Sequence, residues 1–397
     1  MSARPLKIAL VVGEHSGDQL GFKLMQALRA EVGGEVEFVG VAGPAMTREG
    51  MQSLFSLEDI AVMGFAAVIA RFRTIYKRAW QVIDAITIDP PDALVIIDSP
   101  DFTHAVAKRV RKKLPALPII NYVSPSVWAW RPGRARKMRA YVDHVLALLP
   151  FEPAAYQRLH GPPCSYVGHP LMERLDQLRP NAEEQAARSD EKPLLLVLPG
   201  SRSSEVARLT DIFGGTLQRL ATMIGPFDVV LPTVPRHLER LREATASWPQ
   251  KPGIVSDEAE KFAAFRRAKG ALAASGTVTL ELALSQVPMI GAYRFPAVEA
   301  FLAKRLIKSA HFLLPNLILE RRAIPELFQE AVTPDNLAAI FAPLMGNTPE
   351  RAAQMAAFDE LDRRMQVVGE TPSQRAARIV LQAIKDKRRN LPSSKGE

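Results

Sequence analysis

Short apolar runs alternate with longer segments of helical periodicity along most of the chain. The runs are apolar at consecutive positions and end in Gly, Ser, Pro or Asp, which is typical of parallel strands buried on both faces. The strands predicted in the first half are Lys7–Val12, Val36–Gly40, Ala93–Asp98, Pro118–Val123 and His144–Leu149. Those predicted in the second half are Leu194–Leu198, Asp228–Leu231, Gly253–Val255, Ala271–Ala274 and Pro288–Ala292.

A charged, proline-punctuated stretch over 175–193 separates the two series of strands and is predicted to be a linker. We therefore expect an N-terminal domain over 1–174, a second domain over 194–348, and C-terminal helices with a frayed basic tail over 349–397. Two βα arrays predict an α/β protein with two doubly wound, Rossmann-like parallel sheets. Ligands bind at the carboxyl ends of such strands, so the two sheets are expected to face one another across a cleft.

Composition narrows the classes of partner. The 397 residues carry a net charge of +9, which favours nucleic acid, an anionic membrane or a phosphorylated substrate. The basic residues are scattered and no nucleic-acid motif is present, which disfavours nucleic acid. Cys164 is the only cysteine, which indicates a reducing compartment and no zinc site. No run of about 18 apolar residues occurs, so membrane contact is expected to be peripheral.

A glycine-rich turn follows the first predicted strand at Gly13. Its glycine spacing differs from the G-x-G-x-x-G fingerprint, which disfavours a nicotinamide or flavin cofactor. At the start of the next helix, Ser16, Gly17 and Asp18 are candidates to bind an anionic substrate. The alternative is a structural turn with Ser16 or Asp18 as the helix cap.

Asp98 stands where the apolar run Val95–Ile97 ends. A carboxylate at the end of a buried strand is well placed to act as a general base, and we predict that role for Asp98. The alternative is a cap for the following helix, a role that Asp101 fills as well as Asp98 or better.

The turn at Gly200, Ser201 and Arg202 closes the first predicted strand of the second half. Gly200 permits a close turn, Ser201 can donate a hydrogen bond, and Arg202 can grip a diphosphate bidentately. Helix capping by Glu205 is the structural alternative, although capping alone does not require an arginine.

A similar turn contains Ser275, Gly276 and Thr277. Backbone amides at a helix start suit phosphate, and Glu281 lies one helical turn later, where it can accept ribose hydroxyls. The alternative is Thr277 as a cap with Glu281 favourably placed in the first turn.

An amphipathic segment with flanking arginines and lysines extends from Met63 to Ile83. Its pattern fits either an interfacial membrane helix or a core helix. The candidate membrane contacts are Phe65, Val68, Ile69, Phe72, Tyr76 and Trp80.

Several longer motifs occur in order between residues 13 and 329. They are Gly13-Glu14-His15-Ser16-Gly17-Asp18, Ile97-Asp98-Ser99-Pro100-Asp101-Phe102, Tyr122–Arg131, Pro150-Phe151-Glu152, Tyr166-Val167-Gly168-His169-Pro170-Leu171, Leu198–Arg202, Ser275–Thr277, Ala303–Leu306, Leu314–Ile318, Pro325–Leu327 and Gln329. On these motifs the chain resembles the bacterial lipid-A-disaccharide synthase family. The stretches at Tyr122 and Tyr166 are the most specific.

The resemblance implies an inverting, metal-independent glycosyltransferase of the GT-B type without a cofactor. The implied reaction moves 2,3-diacylglucosamine from UDP to 2,3-diacylglucosamine 1-phosphate, giving a β-1,6-linked disaccharide phosphate and UDP. It also implies Asp98 as the base, Arg202 on the diphosphate, and Glu281, Asn316 and Gln329 around the nucleotide-sugar.

The implied location is the cytoplasm, at the surface of the inner membrane, with a homodimer as a further expectation. One alternative is another UDP-sugar transferase or epimerase of the same architecture. Another is a non-catalytic basic protein that binds membrane or nucleic acid.

Overall fold

The structure is a computed structural model that describes residues 4–61, 71–190, 192–294 and 311–390. The chain divides into two compact units. The first unit comprises Met1–Pro170 and Val367–Glu397, and the second comprises Leu171–Gln366.

The first unit contains a six-stranded parallel sheet in the order β2-β1-β3-β4-β5-β6. Its strands are β1 (Leu6–Val12), β2 (Val36–Val41), β3 (Ala93–Ile97), β4 (Ile119–Tyr122), β5 (His144–Ala147) and β6 (Cys164–Tyr166). The helices along this part of the chain are α1 (His15–Val32), α2 (Pro44–Arg48), α3 (Phe72–Ile88), α4 (Pro100–Lys113), α5 (Gly133–Met138) and α6 (Glu152–Arg158).

The central strands of this sheet are apolar on both faces because helices cover both sides. Every residue of β3 is fully buried, as expected for a strand inside a doubly wound sheet. In the register of the sheet Val12 pairs with Ile97. The turns that follow β1 and β3 therefore lie side by side.

The second unit contains another six-stranded parallel sheet, in the order β12-β11-β10-β7-β8-β9. Its strands are β7 (Leu194–Leu198), β8 (Asp228–Pro232), β9 (Gly253–Val255), β10 (Ala268–Ala274), β11 (Met289–Tyr293) and β12 (Glu326–Phe328). Its helices are α7 (Leu175–Leu178), α8 (Ala182–Ala187), α9 (Ser203–Ile224), α10 (Leu238–Thr245), α11 (Glu258–Arg267), α12 (Val278–Leu284), α13 (Leu314–Leu319), α14 (Pro334–Phe341) and α15 (Pro349–Met365). Leu198 pairs with Ala273, so the turns after β7 and β10 are neighbours.

The chain returns to the first unit through α16 (Pro372–Asn390). This helix packs against α1 and buries Ala376, Ala377, Val380 and Ile384 in the core of the first unit. The two C-terminal helices therefore belong to different units, since α15 lies in the second.

The segment 175–193 contains α7 and α8 and is held in the second unit by Arg188. The buried guanidinium of Arg188 donates to the carbonyls of Arg266, Gln286, Phe265 and Ser285 at 2.8–3.2 Å. Burial lowers the pKa of Arg188 to about 10.

The prediction of two doubly wound parallel sheets is confirmed. Ten strands lie where apolar runs predict them, within a few residues, whereas β6 and β12 were not predicted. Both of these strands are three residues long and only partly buried, so they carry no extended apolar signal. In the described ranges, no helix combines the length and the apolar composition needed to span a bilayer.

Candidate functional site

Asp98 directly follows β3 with an unusual backbone. Its φ is 57°, and that of Ser99 is 42°. Two successive non-glycine residues in the left-handed region are costly, and such strain concentrates at functional sites. The strain turns the chain sharply from the buried strand into α4 and leaves Asp98 partly exposed at the carboxyl end of a central strand.

Hydrogen bonds from both neighbouring turns fix the Asp98 carboxylate. The Ser16 hydroxyl donates to Oδ2 at 2.9 Å, and the Ser99 amide donates to Oδ1 at 2.8 Å. The Thr103 hydroxyl donates to the Asp98 carbonyl at 2.7 Å. Because each carboxylate oxygen can accept a further hydrogen bond, Asp98 is oriented and still able to accept a proton.

Gly13 allows the two turns to approach this closely. A Cβ atom at Gly13 would lie 2.1 Å from the Cβ atom of Ser99, which no real side chain tolerates.

Glu14, beside Gly13, was not among the predicted site residues. Partial desolvation, and next the negative charge of Asp98, raise the pKa of Glu14. The turn therefore holds two acidic groups close enough to influence one another.

Asp18 has a structural position. Its side chain is 2% exposed, and its carboxylate accepts hydrogen bonds from the amides of Gly43, Ala45 and Met46 at 2.8–3.0 Å. It therefore caps α2 instead of facing a ligand. Gly17 is likewise buried, beside the Ile97 carbonyl. This geometry favours structural roles for both residues over the substrate contacts predicted from sequence, and leaves Ser16 as the residue that reaches Asp98.

A pocket of about 420 Å³ in the second unit collects most of the remaining predicted residues. It lies at the carboxyl ends of β7, β8 and β10, where ligands bind in open parallel sheets. The predicted residues that line it are Gly200, Ser201, Arg202, Ser275, Gly276, Thr277 and Glu281. Asn316 and Gln329 are not among the described residues that line this pocket.

The turn after β7 is organised by Glu205, which is buried. One carboxylate oxygen accepts the amides of Ser201 and Arg202 at 3.2 Å, and the other accepts from the Arg202 guanidinium at 2.8 Å. Gly200 has a φ of 111°, and a Cβ atom there would lie 2.4 Å from Glu205 Oε2. The Arg202 side chain is 67% exposed, so most of its donors face solvent and are available to an anion.

Two residues that sequence reasoning missed hold this turn in place, and both lie directly before α10. Arg236 donates to the Ser201 carbonyl at 2.6 Å, and the buried His237 donates to the same oxygen through Nε2 at 3.0 Å. Both lie more than 30 residues from Ser201, so no local sequence signal connects them.

Glu281 lies inside the pocket with Lys261 as its partner. The Lys261 amine donates to both carboxylate oxygens at 3.0 and 3.2 Å, and both side chains are largely buried. The pair holds the carboxylate toward the cavity, where Ser275–Thr277 form the adjoining wall. Lys261 was not predicted because it lies on α11, 20 residues before Glu281.

Asn316 is fully buried and satisfied. Its amide donates to the Ile324 carbonyl and to Glu326, and its carbonyl accepts the amides of Ala323 and Ile324 at 3.0 and 2.9 Å. These bonds shape the connection into β12, which favours a structural role over the predicted substrate contact. Gln329 is 7% exposed with a φ of 53°.

The Tyr122–Arg131 motif surrounds a buried carboxyl group at Glu152. Trp128 Nε1 donates to Glu152 Oε1 at 3.2 Å, and the Leu149 amide donates to Oε2 at 3.0 Å. Burial raises the pKa of Glu152 to about 7, against these hydrogen bonds, which lower it. The motif therefore folds around an acid that is partly protonated at neutral pH.

Three membrane-contact candidates are described and three are not. Phe65, Val68 and Ile69 lie outside the described residues. On α3, Phe72 is 62% and Tyr76 49% exposed, with their rings stacked at 6.2 Å. Trp80 packs partly against the core beneath Arg109 and Lys113.

The chain is similar to one protein family over nearly its whole length. The family model for lipid-A-disaccharide synthetase matches residues 8–380. A lipid-A-disaccharide synthase of Nitrobacter hamburgensis is 53% identical over 378 residues, covering 95% of this chain and 96% of the relative. Another, of Rhodopseudomonas palustris, is 54% identical over 379 residues, with coverages of 95% and 96%.

The solved structure of MurG from Acinetobacter baumannii is also similar, with a TM-score of 0.59 over 95% of this chain and 100% of MurG. Since the two sequences are only 13% identical, this similarity concerns the fold alone. It agrees with the two parallel sheets and confirms the GT-B fold class.

Proposed function

We propose specific roles for these residues on the premise that the chain belongs to the lipid-A-disaccharide synthetase family. The chain is a glycosyltransferase that moves 2,3-diacylglucosamine from UDP to 2,3-diacylglucosamine 1-phosphate, forming the lipid A disaccharide phosphate and UDP. The full-length similarity favours this activity over that of an epimerase or a non-catalytic binding protein.

Asp98 is the general base. The 6-hydroxyl of the acceptor is a weak nucleophile, and removing its proton as it attacks the anomeric carbon lowers the barrier. The carboxylate is held from two sides by Ser16 and Ser99, which limits its motion before the reaction. Attack on the face opposite UDP inverts the anomeric centre.

Arg202 stabilises the departing UDP. The bond to the diphosphate breaks with negative charge building on oxygen, and a preorganised cation lowers the energy of that state. Glu205 fixes the guanidinium at 2.8 Å while most of the side chain stays exposed. These groups supply the charge stabilisation without a metal ion or cofactor.

The pocket of the second unit holds the nucleotide. Glu281 accepts the ribose hydroxyls, with Lys261 fixing its orientation, and the turn at Ser275–Thr277 contacts the diphosphate. Replacing Lys261 should weaken UDP binding, because the Glu281 carboxylate would lose the group that orients it.

The enzyme acts at the inner surface of the cytoplasmic membrane, where its acylated substrates reside. The exposed Phe72 and Tyr76 support peripheral contact through α3.

Replacing both Phe72 and Tyr76 with serine should reduce co-sedimentation of the protein with phosphatidylglycerol vesicles. Ile88→Ser, which removes an exposed apolar residue at the end of the same helix, is the control. Equal loss in both proteins would contradict this contact surface. A homodimer stays a prediction.

The observation that carries the proposal is the Asp98 carboxylate, fixed at a strained strand end. The test is disaccharide formation from UDP-diacylglucosamine and diacylglucosamine 1-phosphate, followed by mass spectrometry. Asp98→Asn keeps the side-chain size and should lower kcat by about 10²–10⁴-fold. Asp84→Asn, an exposed carboxylate on α3, is the matched control. Full activity of Asp98→Asn would remove Asp98 as the base.

A further inference from the structure

A second cavity, of about 510 Å³, lies in the first unit between α4 and α5. Five basic side chains line it: Lys108, Arg109, Arg131, Arg134 and Lys137. Among the described residues of its lining, Asp101 is the only acid. The basic run that contains Arg131, Arg134 and Lys137 suggests from sequence either a phosphate contact or a solvated helix face. The roles proposed above do not use these residues. A concave surface with this charge is suited to an anion.

Aromatic rings hold two of the cations in place. The Lys108 amine lies 5.1 Å from the centre of the Tyr141 ring, and the Arg131 guanidinium lies 4.2 Å from that of Trp130. Cation–π contacts orient a charged group without occupying its hydrogen-bond donors. These donors therefore remain able to bind an anionic ligand.

Arg134 has a partner that it can exchange. It donates to Asp101 at 3.0 Å, and the Asp101 side chain is 88% exposed. Exposed ion pairs contribute little free energy, so an anion with more charge and more acceptors can displace the carboxylate. A phosphate monoester carries about −1.5 to −2 charges near neutral pH and offers three oxygens to arginine and lysine.

The wall of the cavity is rigid and neutral. His104 is buried, and its ring joins the Tyr141 hydroxyl at 3.0 Å and Asn121 Oδ1 at 2.9 Å. Asn121 in turn donates to the Val123 carbonyl at 2.9 Å. Burial, aided by the charges of Arg134 and Lys108, lowers the pKa of His104 to about 4. The positive charge of the cavity therefore comes from lysines and arginines alone and changes little across physiological pH.

The lining of the cavity begins two residues after the proposed base. Pro100 and Asp101, at the start of α4, belong to its lining and follow Asp98 by two and three residues. The acceptor carries its attacking 6-hydroxyl and its 1-phosphate on one sugar ring, so a site for the phosphate is required near the base. We infer that this cavity binds the phosphate monoester of the acceptor, an assignment that rests on the proposed function.

The experiment compares two acceptors, diacylglucosamine 1-phosphate and diacylglucosamine without the phosphate. For Lys108→Ala and Lys137→Ala, the KM of the phosphorylated acceptor should rise about 10- to 100-fold, as expected when a hydrogen bond to a charged group is lost. The KM of the acceptor without phosphate should not change. If that acceptor is not turned over, its inhibition constant against the phosphorylated acceptor replaces KM.

Lys112→Ala is the control, because Lys112 is an exposed lysine of α4 outside the cavity lining. It should leave both constants unchanged. Lys137→Arg keeps the charge and should restore much of the affinity for the phosphorylated acceptor. A loss of affinity that is equal for both acceptors would show a structural role and overturn the assignment, as would unchanged constants.

Vesicle binding separates the two possible sources of phosphate. If Lys108→Ala and Lys137→Ala lose binding to phosphatidylglycerol vesicles but keep the normal acceptor KM in detergent, the cavity binds lipid headgroups and the acceptor assignment is wrong. Failure of the wild-type enzyme to form disaccharide would instead refute the proposed function. An active wild-type enzyme whose variants still discriminate normally between the two acceptors refutes only the cavity assignment.

Discussion

The buried carboxyl group of Glu152 should make the stability of the protein depend on pH. Its folded-state pKa of about 7 exceeds the ordinary glutamate value of 4.5. The folded protein therefore retains a proton that the unfolded chain has already lost between these two values. The stabilisation is complete below about pH 4.5 and is lost as pH rises through about 7.

The size of the effect follows from the difference between the two pKa values. At about 1.4 kcal/mol per tenfold change in proton affinity, the difference corresponds to about 3 kcal/mol of unfolding free energy. Glu152→Gln removes the titration while keeping the shape. Its amide can accept from only one of Trp128 and Leu149, which adds a cost of about 1–3 kcal/mol that does not vary with pH.

Urea unfolding at pH 5, 6, 7 and 8, followed by circular dichroism, measures this dependence. The free energy of wild type minus that of Glu152→Gln should fall by about 2–3 kcal/mol from pH 5 to 8, because all other titrating groups cancel. Glu31→Gln changes an exposed carboxylate on α1, and the free energy of wild type minus that of Glu31→Gln should not vary with pH. A flat difference for Glu152→Gln as well would show that this carboxyl does not titrate near neutrality.

Substitutions at four further positions test other contacts. Arg202→Ala should lower kcat by about 10²–10³-fold, and the kcat of Arg202→Lys should lie between those of the alanine variant and wild type. Near-normal steady-state rates for the alanine variant would show that Arg202 does not stabilise the leaving group. Gly200→Ala should lower both activity and expression, because its Cβ atom would meet Glu205; a crystal structure with an unchanged turn would contradict this. Asp18→Ala should lower the free energy of unfolding, measured with urea, by about 1–2 kcal/mol and should leave KM nearly unchanged. A large rise in KM would instead support a substrate contact for Asp18. Arg188→Met should lower the free energy of unfolding by about 3 kcal/mol, because four backbone carbonyls lose the donor that Arg188 provides. An unchanged midpoint of denaturation would show that water replaces that donor.

The parts of the site that the sequence predicts are those with a local signal. Asp98, Arg202 and Gly276 each lie within four residues of the end of an apolar run, so the strand and its functional turn are predicted from nearby residues. The parallel register then places such turns together, as the pairing of Val12 with Ile97 does. The strands and the turns that follow them are therefore both predictable from the apolar runs.

Contacts between distant residues were not predictable in this way. Lys261 meets Glu281, and His237 meets Ser201, only because separate βα units are adjacent in the folded sheet. Asp18 was expected to cap its own helix or meet a ligand, but it caps α2, 25 or more residues later. Fold class follows from periodicity, whereas the partner of a polar side chain is decided by tertiary structure.

The final helix has a consequence for how the protein is made. The first unit needs α16 to cover α1, yet α16 is the last described element of the chain. Because the second unit precedes α16 in the sequence, the ribosome synthesises the whole second unit before it synthesises α16. Part of the apolar surface of the first unit therefore stays uncovered until α16 has been synthesised as well. A nonsense codon shortly before Pro372 would therefore damage the opposite end of the polypeptide.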